Sequence, residues 1–135
     1  MSSNPRTPRR KRIIVALTGA TGSILGIETL IALRRLDVET HLIISKWAEN
    51  TLKYETDYTV ANARALADTV YGCRYMAAPV ASGSFQVDVI FPPVPAFYIK
   101  PSSVDDLVDH GVGRMLDLFD LDTEEFDGWD GFQKP

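Results

Sequence analysis

The chain has 135 residues, of which 45% are hydrophobic and 24% charged. That balance suits a single soluble globular domain with a real core and excludes a disordered chain. No apolar run approaches the ~18 residues a membrane-spanning helix needs, and a lone cysteine, Cys73, excludes an internal disulfide and a cysteine-based zinc site.

The net charge of -4 is unevenly spread. Residues 1–12 hold Arg6, Arg9, Arg10, Lys11 and Arg12 without an acid, so they read as a basic, disordered arm. A short organelle-targeting arm is the alternative, although Pro5 and Pro8 oppose the amphipathic helix such a signal needs. The expected location is intracellular, mitochondrial or cytoplasmic. No nucleic-acid partner is expected, because the arm has no aromatic residue and the remainder is acidic. No membrane partner and, with only His41 and His110 besides Cys73, no metal are expected either.

Residues 13–18 are β-branched and apolar and predict a buried strand. Gly19-Ala20-Thr21-Gly22 breaks it, and Ile24, Ile27, Leu30, Ile31 and Leu36 then recur near the helical period over about 23–36. A second strand is expected over 40–45, helices over 46–54 and 60–67, and short strands over 71–75 and 87–91. Pro92-Pro93-Val94-Pro95 ends the last of these. A final helix is expected over 103–119, capped by Ser103, with Asp105 and Asp106 suited to the positive end of its dipole. Residues 120–135 form an acidic tail, which leaves 13–119 as the folded domain. Apolar strands alternating with helices predict an α/β fold with a parallel sheet of about four strands.

The most informative local feature is the strand–Thr18-Gly19-Ala20-Thr21-Gly22-Ser23–helix junction. A helix N-terminus offers unpaired N–H groups, and glycines let a phosphate come close to the backbone. In an open parallel sheet this loop lies at the carboxyl ends of the strands, where ligands bind. A tight turn with an ordinary cap is the bland alternative. An NAD(P)-binding, short-chain-dehydrogenase-like protein is a further one. It is disfavoured by the Gly19, Gly22, Gly26 spacing, by Ser45-Lys46 where an acid should end the second strand, and by the lack of a Tyr-x-x-x-Lys pair.

Six segments stand in order: Thr18-Gly19-Ala20-Thr21-Gly22, Ile44-Ser45-Lys46-Trp47-Ala48, Tyr54-Glu55-Thr56-Asp57, Ala81-Ser82-Gly83-Ser84-Phe85, Pro92-Pro93-Val94-Pro95-Ala96-Phe97-Tyr98 and Val112-Gly113-Arg114-Met115-Leu116. Together, over about residues 11–130, they resemble the flavin prenyltransferases of the UbiX type, the fungal phenylacrylic acid decarboxylase-like branch above all. The resemblance implies a three-layer, Rossmann-like flavoprotein. It implies transfer of a dimethylallyl group from dimethylallyl phosphate to reduced FMN, with FMN as a substrate and no metal. The product, prenylated FMN, serves UbiD-type decarboxylases. A homo-oligomer, a dodecamer in the family, is also implied. Carried over by position, Gly19, Ala20, Thr21 and Ser45 match FMN contacts, and Glu55 matches a carboxylate for proton transfer at ring closure. Tyr98 and Arg114 match groups on the prenyl phosphate.

The chain departs from the family pattern after Gln86. Family members continue there through further strands and helices, whereas Gln86 here passes almost directly to the segment before Pro92. The expectation is an internal deletion near 86/87 of about two βα units, roughly sixty residues. A non-catalytic fragment or regulatory subunit is the competing reading.

Overall fold

The computed structural model describes residues 10–72, Phe97 and 100–121. The chain divides into two compact units, Met1–Val87 and Asp88–Pro135.

The first unit runs β1 (Arg12–Leu17), α1 (Ser23–Arg35), β2 (Glu39–Ile44), α2 (Lys46–Glu55), α3 (Val60–Leu66) and β3 (Thr69–Tyr71). The sheet has the order β1-β2-β3 with both pairings parallel, as the apolar alternation predicts. Ile13, Val15 and Leu17 of β1 are buried, while Ile14 is half-buried and Ala16 exposed. The core joins these to Ile27, Leu30 and Leu33 of α1 and to Leu42 of the central strand. Burying each of these side chains contributes about 1.5–3 kcal/mol. Gly26 permits the close approach of α1 to β1, since a Cβ there would lie 2.1 Å from Leu17 Cδ2.

Two expected boundaries move. Residues 10–12 belong to the fold and not to a free arm. Arg10 Nη2 pairs with Asp37 at 3.1 Å, Lys11 O accepts from the Glu39 amide at 2.9 Å, and Arg12 opens β1. The acid left at the end of α1 supplies the partner that a count of basic residues does not reveal.

The third strand begins at Thr69 and not at Tyr71. Asp68 sets this start, because its carboxylate accepts from the Thr40 amide at 2.8 Å and docks the chain onto β2. The strand expected over 87–91 and most of the expected tail lie outside the described residues.

In the second unit, α4 spans Val104–Leu118. Ser103 Oγ accepts from the Asp106 amide at 3.1 Å, as expected of a cap. Val108, Val112 and Leu116 form its buried stripe. Leu121 N donates back to Leu116 O at 2.9 Å and closes the helix, with Asp120 in the left-handed region at φ 60.

Candidate functional site

Parallel pairing in register places Leu17 opposite Ile44. Residues 18–22 and Ser45 therefore leave the sheet side by side at its carboxyl edge, and the Ser45 amide donates to Leu17 O at 3.0 Å. The turn into α1 needs Gly22, whose φ of 99 lies in the left-handed region. Gly22 has no side chain to cap the helix, so the N-terminal amides of α1 must find a partner elsewhere.

That partner is Glu55, the last residue of α2. Its Oε1 accepts from the Gly22 amide at 2.9 Å and from the Ser23 amide at 3.3 Å. Its Oε2 accepts from the Thr21 hydroxyl at 2.7 Å. The Thr21 hydroxyl above all, opposed by slight burial and helped by the two amides, holds the Glu55 carboxyl below its usual range. An anion thus sits on the positive end of the α1 dipole, as elementary electrostatics favours. The sequence reading assigned Glu55 to acid–base work and the loop to a phosphate. The structure puts the two together and gives the loop's donors to Glu55.

Ser45 caps α2, its Oγ accepting from the Ala48 amide at 3.1 Å. This acceptance uses a lone pair and not the hydroxyl proton, so capping and donation to a ligand are compatible. Thr51 Oγ1, one turn further along, donates to Gly19 O at 3.3 Å and ties the glycine loop to α2. A Cβ added to Gly19 would stand 2.3 Å from Trp47 Cδ1. Gly19 is therefore required by its neighbour, whatever else approaches it. Thr51 and Trp47 were missed as parts of this loop. Their spacing of four residues on α2 is the only signal that placed them on one helix face.

Gly19, Ala20, Thr21, Ser45 and Glu55 all belong to the first unit. Arg114 is exposed on α4 in the second. It lies one turn from His110, whose pKa is lowered by burial first and by the Arg114 cation second. Tyr98 lies outside the described residues. Among the described residues no three His, Cys, Asp or Glu side chains cluster as metal ligands, and no helix is long and apolar enough to cross a membrane.

No protein-family model matches the chain. The mitochondrial flavin prenyltransferase of Saccharomyces cerevisiae is 35% identical over 189 residues, covering 93% of this chain and 78% of the relative. The UbiX flavin prenyltransferase of Escherichia coli K12 is 31% identical over 187 residues, covering 90% of this chain and 99% of the relative. Both alignments are longer than the 135 residues of this chain, so they carry positions it lacks. Among solved structures, a UbiX protein in complex with FMN and dimethylallyl pyrophosphate superposes with a TM-score of 0.81 at 46% identity, covering 93% of this chain and 100% of that one. A dodecameric FMN-dependent Ubix-like decarboxylase from E. coli O157:H7 gives a TM-score of 0.77 at 31% identity, covering 89% and 100%. Sequence similarity over most of both chains and a shared parallel fold agree: the chain belongs to the flavin prenyltransferase family.

Proposed function

We propose that this chain binds FMN at the carboxyl edge of β1 and β2 and prenylates it. The observation that carries the reading is the in-register exit of the Gly19-Ala20-Thr21 loop and Ser45 from adjacent parallel strands. That arrangement presents amide and hydroxyl donors at one edge of the sheet, where open α/β sheets take their ligands. The family supplies the reaction. Dimethylallyl phosphate loses phosphate with the C–O bonding pair as its C1 bonds to N5 of reduced FMN, the N5 proton leaving with the phosphate; the remaining alkene then takes up a proton at C2 as its C3 bonds to C6.

Glu55 is an ionised carboxylate and can accept the proton that C6 gives up at ring closure. To do so it must leave the α1 amides, and the flavin phosphate is an anion suited to replace it there. Arg114 and Tyr98 are proposed to hold the departing phosphate. The product would pass to a UbiD-type decarboxylase. A homo-oligomeric assembly is supported by the dodecameric relative, and a mitochondrial location by the yeast one.

A second reading is favoured by one observation, the excess of aligned positions over the residues present. The segment absent by comparison is proposed to lie near 86/87, beside the boundary between the two units. On that reading the chain binds flavin without efficient turnover, because part of the phosphate clamp is missing. Anaerobic incubation with reduced FMN and dimethylallyl phosphate, followed by mass spectrometry, tests both. Prenylated FMN at the rate of the yeast relative upholds the first reading. Bound but unmodified FMN upholds the second, and absence of flavin binding removes both.

A further inference from the structure

Trp47 is 70% exposed, although an indole is among the most favourable side chains to bury. Its position explains what else it can do. It stands two residues after Ser45, in the first turn of α2. Its Cδ1, Cγ and Cβ all lie within 3.3 Å of the place a Cβ on Gly19 would take. One edge of the side chain thus rests on the glycine loop while most of it is open. The loop cannot easily drift away from it, because Thr51 donates to Gly19 O and to Trp47 O, both at 3.3 Å. A large aromatic surface is therefore held between two positions assigned to flavin, Gly19 and Ser45, and left uncovered. Tyr54, two turns further along α2 and 91% exposed, adds a second open ring on the same helix.

We infer that Trp47 is a flavin-positioning residue whose indole contacts the isoalloxazine ring of bound FMN. The inference rests on the flavin reading above. The chemistry is that of aromatic recognition: a flat, electron-poor ring system stacks on an electron-rich indole and covers apolar surface that water now reaches. A tryptophan fixed by its edge also loses little conformational entropy on binding, which makes it an effective anchor.

The chain has two tryptophans, so a Trp129→Phe background leaves Trp47 as the single indole emitter. Titration of that protein with FMN should quench its emission by more than half. In the same background Trp47→Ala should weaken FMN and riboflavin by the same factor, about tenfold, because the contact is to the ring and not to the phosphate. Trp47→Phe should restore most of the affinity, and it carries the test if circular dichroism shows the alanine variant unfolded. Unquenched emission with unaltered FMN affinity overturns the inference while the flavin reading stands. Weakened FMN with unaltered riboflavin also overturns it, since the contact would then be on the phosphate side. Failure of FMN to bind the parent chain overturns the flavin reading itself, and this inference with it.

Discussion

The two ends of the β1-β2-β3 sheet use polar groups in opposite ways. In the amino-terminal half of β2, His41 is buried, its Nε2 2.7 Å from Glu39 Oε1 and its Nδ1 2.8 Å from the Tyr71 hydroxyl. Beside it, Thr40 and Asp68 exchange hydrogen bonds, Thr40 N to the carboxylate at 2.8 Å and Asp68 N to the Thr40 hydroxyl at 3.1 Å. These groups join β2 to β3 and its entry. At the carboxyl edge, Thr21, Gly22 and Glu55 make bonds of similar length but stand open to solvent. His41, Thr40 and Tyr71 are buried and cannot exchange partners without stranding a polar group away from water, so they fix structure. An exposed anion on a helix N-terminus can be replaced by another anion at little cost, so it can serve binding. The lesson is that bond length does not separate a structural polar cluster from a functional one; access does.

The largest effect that would break the comparison concerns Gly19. Gly19→Val places a branched side chain on Trp47 and on the proposed ligand approach. FMN binding should fall at least a hundredfold, read by flavin fluorescence, and stability should fall by about 1–3 kcal/mol because Trp47 must be displaced from the loop. Unaltered flavin affinity would show that the loop is structural only.

At the other end stability should fall and binding should be spared. His41→Leu removes the group between Glu39 and Tyr71 and should cost about 1–3 kcal/mol in urea unfolding, with FMN affinity unaltered.

Glu55→Gln sharpens the contrast more gently. Loss of an exposed cap should cost about 1 kcal/mol or less. Its signature is pH dependence. The folded Glu55 pKa is depressed, so its contribution is present above the unfolded carboxylate value and is lost as pH falls through the folded one. Thermal unfolding followed from neutral to acid pH should show a shallower loss in the variant. FMN affinity should rise, since a competing charge is removed. A fall would mean that Glu55 contacts the flavin in its favour.

The smallest expected effect lies on α4. Arg114→Gln should move the His110 titration part of the way back towards its ordinary range, followed by NMR, because burial remains after the cation is gone.

Much of this molecule was legible in one dimension. Runs such as Ile13–Leu17 and Thr40–Ile44 declare strands because β-branched residues fit a pleated, buried surface. Ser103 declares a helix start because a hydroxyl three residues before an amide can reach it. The order of six short segments pointed to the family, and the similarity of whole chains agrees. Parallel pairing followed from apolar strands separated by helices, which return the chain to the same edge.

The tertiary structure alone decided which groups meet across long separations. Nothing local tells Glu55 to cap a helix that begins 32 residues earlier, and the family resemblance pointed only to acid–base work. The start of β3 was likewise set by Asp68 finding Thr40, a contact made by docking and not by strand propensity. Gly19 and Trp47 are separated by 28 positions, and only the packing of α2 on the loop reveals that one demands the other. Sequence patterning encodes what each segment buries, because burial follows from periodicity within the segment. Partners at a site depend on how segments dock, and docking is settled by shape and donor–acceptor matching among residues that no local pattern links.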